Sequence, residues 1–234
     1  MLARNEVQLR VKLVTRAGTA RLLTADTRPL GTLLVNVHAD LAARLRRDGR
    51  VVSMGRSAPR VPFFEPDNAA GVRMAVRHLL DSGRRRIAAV HGPVDNPCAV
   101  DRRTGYLEAM AEVGLEPVSL EGDFTRPTAL RAARELFAGH PDVDAVFAAC
   151  DLTASAVLQA AAESGRRVPD DVAVVGFDDS VLASSASVPL TSVASPVERL
   201  AASATMVLLE PASRGVGRAR VPVGLTVRRS SVAV

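Results

Sequence analysis

The residues best suited to binding chemistry in this chain each follow a short apolar run. Asp178 and Asp179 follow VAVVGF (172–177), and Cys150 and Asp151 follow VDAVFAA (143–149). Asp123 and Phe124 come after PVSLE (117–121), and Arg102 lies beyond RIAAV (86–90) and the His91-Gly92-Pro93 turn. Carboxylates accept hydrogen bonds from hydroxyls, a guanidinium donates in a planar fork, and a phenyl ring offers a flat apolar face. That set suits a sugar or a nucleobase. It suits phosphate poorly, because neither G-x-G-x-x-G nor G-x-x-x-x-G-K-[ST] occurs.

Each residue also has a plainer reading. Asp178 and Asp179 could cap a turn, Asp151 could be only the cap of its helix, and Arg102 could pair with Asp101 or Glu108 on a solvated face. Phe124 could be core, and His91 a structural residue in a tight turn. Cys150 reads as a buried filler or as a thiol activated at a helix start.

The elements that must position these residues alternate along the chain. Candidate strands are GTLLVNV (31–37), RVVSM (50–54), RIAAV (86–90), PVSLE (117–121), VDAVFAA (143–149) and VAVVGF (172–177). Between them run segments of helical period. In DNAAGVRMAVRHLLDSG (67–83), Val72, Ala75, Val76, Leu79 and Leu80 follow i, i+3, i+4, i+7, i+8, with Asp67 or Asn68 as cap and Gly83 as stop. Further helices start near Arg102 and end at Gly114, start near Pro127 and end at Gly139, and start at Asp151 and end at Gly165. Residues 86–177 thus alternate strand and helix as a complete doubly wound unit, and 31–85 supplies a smaller piece of the same kind. VQLRVKL (7–13) alternates like an edge strand, while SPVERLAASATMVLLE (195–210) reads as a helix and RVPVGLTVRRSSV (220–232) as one last strand. The fold class is therefore α/β with parallel sheet, and in such a sheet ligands sit at the carboxyl ends of the strands, where all these polar groups fall.

Composition narrows the function classes. At 47% hydrophobic and 24% charged residues the chain has an ordinary globular balance. No run approaches the roughly 18 apolar residues of a membrane helix, and residues 1–25 lack a secretion signal's apolar core, so a cytoplasmic protein without a membrane partner is expected. Cys98 and Cys150 have no second Cys or His at ligand spacing, so neither a disulfide framework nor a metal site is expected, and no cofactor. Of the net charge of +5, residues 1–60 carry twelve Lys+Arg against four Asp+Glu, a surplus of eight that leaves −3 for the rest. Scattered arginines of this kind fit a solvated helix face as well as nucleic acid.

The stretches DNAAGVRMAVRHLLDSGRRRIAAVHGP, DRRTGYLEAMAEVGL, EGDFTRPTALRAARELF, DAVFAACDLTASAVLQAAAESGRRVPDDVAVVGFDD and PLTSVASPVERLAASA resemble the effector-binding core of LacI/GalR transcription regulators. The resemblance covers residues 31–234. R-x-x-G-Y, the aspartate-headed helix, VPDDVAVVGFDD and PLTSV are specific in combination. It implies a periplasmic-binding-protein-like fold of two lobes: an N-terminal lobe of residues 1–92 completed by 194–220, and a C-terminal effector-binding lobe of 93–193 completed by 221–234. The chain would cross near Gly92-Pro93, Ala194-Ser195 and Arg220-Val221, and the first lobe would be incomplete. The family's helix-turn-helix has no counterpart in residues 1–30, which reads as a truncation.

The same resemblance implies a small effector, sugar or nucleobase-like, held in the interlobe cleft. Arg102 would donate to it, Phe124 would stack on it, Asp178 would accept its hydroxyls, and Asp151 would play an architectural part beside them. Asp179 would serve the turn. The family usually has Asn where this chain has Cys150, and often Gln where it has Ser195, so the effector stays open. A regulator core of this type is expected to be a homodimer, with operator DNA as partner only where a helix-turn-helix is supplied outside the chain. A solute-binding protein of a sugar transporter is the alternative. An enzyme is not expected, since G-x-S-x-G and H-E-x-x-H are absent and neighbouring carboxylates in extended chain point apart.

Overall fold

The computed structural model describes residues 31–35, 50–57, 59–209 and 218–232. The expected edge strand at 7–13 lies outside them. The chain divides into two compact units, with crossings between Glu65 and Pro66, Pro196 and Val197, and Val221 and Pro222. The first crossing therefore corrects the expectation of Gly92-Pro93. The helix at 68–81 and the strand at 87–90 are built into the larger unit, because their apolar faces close on that unit's core.

In the smaller unit, strands β1 (Thr32–Val35), β2 (Val51–Met54), β3 (Phe63–Pro66) and β9 (Arg218–Val221) form a sheet in the order β1-β2-β3-β9. The β1–β2 and β2–β3 pairs are parallel. Helix α6 (Val197–Leu209) presents Leu200, Ala204, Val207 and Leu208, at i, i+4, i+7 and i+8, to Val52 and Phe64 of this sheet. Burying Leu200 contributes about 1.5–3 kcal/mol. Glu65, 1% exposed, is a buried charge of this unit: Arg56 and Arg220 each approach its Oε1, at 3.3 and 3.2 Å.

The larger unit is a six-stranded sheet in the order β10-β8-β7-β6-β4-β5. Its strands are β4 (Ile87–Val90), β5 (Val118–Leu120), β6 (Ala145–Ala148), β7 (Ala173–Asp178), β8 (Thr191–Ala194) and β10 (Gly224–Thr226). All pairs are parallel except β10–β8. Alternation of side chains sorts each strand onto two faces. Ile87, Ala89, Ala145, Phe147, Ala173 and Val175 meet helices α1 (Asn68–Asp81) and α2 (Pro97–Glu112). Ala88, Val90, Val146, Ala148 and Val174 meet α3 (Arg126–Gly139) and α4 (Asp151–Glu163). Small Ala at many of these positions lets helices lie close to the sheet. This is the doubly wound arrangement that the alternating pattern implied.

Local chemistry sets the helix ends. Asp67 caps α1 by accepting from Ala70 N, and Gly83 turns the chain after it at φ +87°, a region open to glycine. Helix α2 starts at Pro97, earlier than expected, because the Asn96 side chain accepts from Cys98 N and Pro97 needs no donor there. Three elements went unforeseen: β3, β8, and the short helix α5 (Val181–Ser185) that follows β7. β8 lies in PLTSV, which carries little alternation of its own. The single last strand expected at 220–232 is two strands, β9 and β10, one in each unit, separated by Pro222-Val223.

The R-x-x-G-Y motif has a packing role as well. A Cβ on Gly105 would sit 2.5 Å from the Ala69 carbonyl oxygen, so glycine there lets α2 lie against α1. Tyr106 is fully buried, and its hydroxyl lies 2.8 Å from the Ile87 carbonyl while accepting from Val118 N at 3.0 Å. That bonding ties α2 to both β4 and β5, and burial pushes the phenol up to about 12.

Candidate functional site

The strand order of the larger unit reverses between β4 and β6. The chain leaves β4 toward β5 and then returns past it to β6, so connections diverge there and open a crevice at the carboxyl ends. Arg102, on the second turn of α2, reaches this edge from one side. Only 5% of the residue is exposed, so the solvated pairing with Asp101 or Glu108 does not form; Glu108 pairs with Arg73 instead.

Four contacts hold the Arg102 guanidinium. Nε donates to Asn68 Oδ1 at 2.9 Å, one terminal nitrogen donates to the Ala149 carbonyl at 2.5 Å, and the other donates to Asp178 Oδ1 at 3.0 Å. Its flat face lies on the Phe177 ring, 3.6 Å from the centroid. A cation stacked on an aromatic ring and flanked by a carboxylate is well compensated for leaving water.

Asp178 ends β7 at φ +104° and Asp179 follows at +52°, both in the region L-residues seldom adopt. Such backbone costs of order 1–3 kcal/mol and persists only where its surroundings impose it. The turn sends the two neighbouring carboxylates apart, by left-handed backbone and not by extended alternation as the sequence suggested. Asp178 Oδ1 faces Arg102. Asp179 instead accepts from Arg228 at 2.7 Å and from the Thr226 hydroxyl at 2.8 Å, which fastens the β7 end to β10. Burial pushes the Asp178 carboxyl up, against the opposing pull of Arg102, while 41% of its side chain stays exposed.

Asp151 heads α4 and is 2% exposed. Its Oδ2 accepts from the Ser180 amide and hydroxyl at 2.6 and 2.8 Å, and Oδ1 accepts from the Ser192 hydroxyl at 2.6 Å. Burial raises its pKa and these three bonds oppose the rise. Its carboxylate is thus engaged by protein donors from the β7–α5 turn and from β8.

Phe124, at φ +64°, lies on the β5–α3 loop, with its ring directly over Gly92. Asp123 shapes that loop by accepting from Thr125 N at 2.8 Å and from the Thr125 and Thr128 hydroxyls at 2.7 and 2.9 Å. His91 is buried, bonded through Nε2 to the Ser119 hydroxyl at 3.0 Å, and burial lowers it to about 4, so it is neutral at physiological pH. Burial raises the Cys150 thiol, so the activated-thiol reading fails and the residue serves as the α4 cap beside Thr153. Among the described residues no group of three or more His, Cys, Asp or Glu could hold a metal, and no helix is long and apolar enough to cross a membrane.

Sequence reasoning missed Asn68, Phe177, Ser180, Ser192 and Arg228. Asn68 was visible only as an alternative helix cap, a role that Asp67 fills. The others carry no spacing signal: Ser180 is 29 positions from Asp151, Ser192 is 41 from Asp151, Arg228 is 49 from Asp179, and Phe177 lies under an arginine of another element.

Residues 76–231 match the family described as periplasmic binding protein-like domain. This chain belongs to that family. Within the periplasmic binding protein-like proteins it is a LacI-type effector-binding core. It is 39% identical over 207 residues to the HTH-type transcriptional regulator CelR of Thermobifida fusca, covering 84% of this chain and 60% of that protein. The solved structure of a transcriptional regulator CelR–cellobiose complex superposes with a TM-score of 0.83 at 37% identity, covering 92% of this chain and 71% of that one. A LacI transcriptional regulator from a Rhodococcus species gives 0.87 at 27% identity over 98% of this chain and 89% of that one. The chain spans 60% of the length of the Thermobifida relative and 53% of a ribose operon repressor from Halalkalibacterium halodurans.

Proposed function

We propose that this LacI-type core senses a carbohydrate effector bearing adjacent hydroxyls, bound at the carboxyl edge of the larger unit's sheet. The Arg102–Asp178 pair carries the reading. Arg102 uses three of its five N–H groups on Asn68, Ala149 and Asp178, and Asp178 Oδ2 has no hydrogen-bond donor among the described residues. A hydroxyl both donates and accepts, so two neighbouring hydroxyls can accept from the remaining Arg102 N–H groups and donate to Asp178. Phe124 supplies the apolar face on which the C–H side of a sugar ring rests. Asp151 belongs to the same site as the group that fixes the β7–α5 turn.

Cellobiose is the first probe, because a relative at 37% identity was solved in complex with it. Effector binding would change DNA affinity only through its different affinity for two states of the protein. In this reading a helix-turn-helix outside the core reads operator DNA, the working unit is a cytoplasmic homodimer, and the bound sugar is released unchanged. That the matching relatives are regulators supports a sensor over a transporter's solute-binding protein.

Isothermal titration calorimetry with cellobiose, glucose, ribose and hypoxanthine, beside Arg102→Ala and Asp178→Asn, tests it. Saturable binding of a sugar that both variants lose supports the reading. Hypoxanthine binding in place of every sugar overturns the carbohydrate assignment, and sugar binding unchanged in both variants overturns the site.

A further inference from the structure

Asn68 is the first residue of α1, 2% exposed, and lies 34 positions before Arg102 in the sequence. Its two amide atoms are used unequally. Oδ1 accepts from Arg102 Nε at 2.9 Å, whereas Nδ2 is buried with no hydrogen-bond partner. The donor on Arg102 fixes which amide atom faces it, because a guanidinium has no acceptor to offer Nδ2. Asn68 also leaves helix capping to Asp67. Burying an amide whose N–H groups go unpaired is unfavourable, so neither capping nor packing accounts for an amide at this position. Its oxygen does one thing, which is to engage Nε.

That bond completes the set of anchors on the guanidinium. The terminal nitrogens meet Ala149 and Asp178, and the Phe177 ring fixes the height of the plane. Rotation of the plane within itself is opposed at those two nitrogens, but of their acceptors Asp178 is half-exposed at the effector edge. The Nε bond to the buried Asn68 is a third, solvent-shielded anchor, and with it the directions of the two unused N–H groups are set. The geometry points to Asn68 as a positioning residue that acts through its side-chain oxygen alone, orienting Arg102 toward the effector. This rests on the effector site proposed above.

The unequal use of the amide makes the test specific. Asn68→Asp keeps an acceptor of the same shape, and the buried Nδ2 had no partner to lose; Asn68→Leu keeps the volume and removes the acceptor; Asn68→Ala serves where Leu does not fold. The first readout needs no effector: the Arg102 Nε–H signal in ¹H–¹⁵N spectra of the whole chain, identified by its absence in Arg102→Lys. It is expected to be protected from exchange in the wild type and in Asn68→Asp, and unprotected in Asn68→Leu and Asn68→Ala. The second readout is cellobiose affinity, expected within about threefold of wild type in Asn68→Asp and at least about tenfold weaker in Asn68→Leu, a difference of ~1.4 kcal/mol. Protection that survives in Asn68→Leu, or binding lost equally in Asp and Leu variants, overturns the assignment. Failure of cellobiose to bind the wild type counts against the choice of sugar, and the Nε–H readout then decides the role of Asn68 by itself.

Discussion

Arg102 and Asp178 stand 76 positions apart in sequence, yet the guanidinium of one and Oδ1 of the other meet at 3.0 Å at the carboxyl edge of the larger sheet. Neither residue explains the other's placement alone. Arg102 is delivered by the early start of α2 at Pro97, and Asp178 by a left-handed turn at the end of β7.

Arg102→Lys tests how far the pair depends on fork geometry. An ammonium on a single stem cannot meet Asn68, Ala149 and Asp178 together, so at least one buried acceptor is stranded, at about 1–3 kcal/mol. The expected outcome is a lower melting temperature by calorimetry together with sugar affinity reduced at least about thirtyfold, or ~2 kcal/mol. A Lys variant that binds as tightly as wild type would show that charge alone suffices.

Gly105→Ala tests the packing beneath the site. The new Cβ would approach the Ala69 carbonyl to 2.5 Å, and backbone on both sides has little room to give. Overpacking of this kind costs typically about 1–3 kcal/mol. Urea denaturation is expected to show that loss with an unchanged slope, since the unfolded surface is the same. Separation of α1 from α2 would also move Asn68 relative to Arg102, so sugar affinity should fall along with stability.

Much of this arrangement was legible in the sequence, for a physical reason. Strands buried on both faces read as apolar runs, helices between them keep a 3.6-residue stripe, and the polar residues after each strand must gather at one edge of a parallel sheet. Asp178, Asp151, Phe124 and Arg102 were placed at that edge in that way, and the roles proposed for them came from the resemblance. What was not legible depended on tertiary partners. Asn68 looks like a cap until Asp67 is seen to fill that role, and Phe177 looks like any core aromatic until Arg102 lies on it. The first chain crossing was misplaced because strand-helix alternation runs through Glu65-Pro66 without a break in pattern. β8 was passed over because Thr191 and Ser192, both fully buried, look polar; their hydroxyls are satisfied by Ser231, Arg228 and Asp151.

The pH dependence of effector binding follows from Asp178. Burial raises its pKa, with Arg102 opposing, so the carboxylate that accepts the effector's hydroxyls takes up a proton at a higher pH than an ordinary aspartate. For stability the sign is the reverse of a salt-bridged carboxylate. A raised folded pKa favours the fold on the acid side, below the unfolded value, and that contribution is lost as pH rises through the folded value. For binding, affinity is expected to be flat near neutral pH and to fall on acidification through the raised value, while the fold gains from the same proton. His91, lowered to about 4, stays neutral throughout the range from pH 8 to 5 and adds no step there. Calorimetric titrations from pH 8 to 4 check this, with the Asp178 carboxyl followed by NMR over the same range; the acid limb is expected to track that titration. An affinity that stays flat down to pH 4, or a limb that does not follow the Asp178 carboxyl, would assign the dependence to another group.

The last prediction separates the two adjacent carboxylates. Asp179 pairs with Arg228 at 2.7 Å, with both side chains about one-fifth exposed (19% and 21%), and accepts from Thr226, so its removal loosens the joint between the β7 end and β10. Arg228 retains its bond to the Leu190 carbonyl at 2.8 Å, which limits the damage. Asp179→Ala is therefore expected to cost about 1–3 kcal/mol in denaturant unfolding. Partial exposure of the pair places the loss toward the lower end of that range. The same variant should bind sugar within a few-fold of wild type, because Asp178 keeps its bond to Arg102. Asp178→Ala should lose affinity outright, whereas its stability change is the difference of two opposed effects, relief of a carboxylate with a raised pKa and loss of the partner of the buried Arg102. If both variants lost affinity and stability in the same proportion, the left-handed turn would be one rigid element whose two carboxylates have no separable roles.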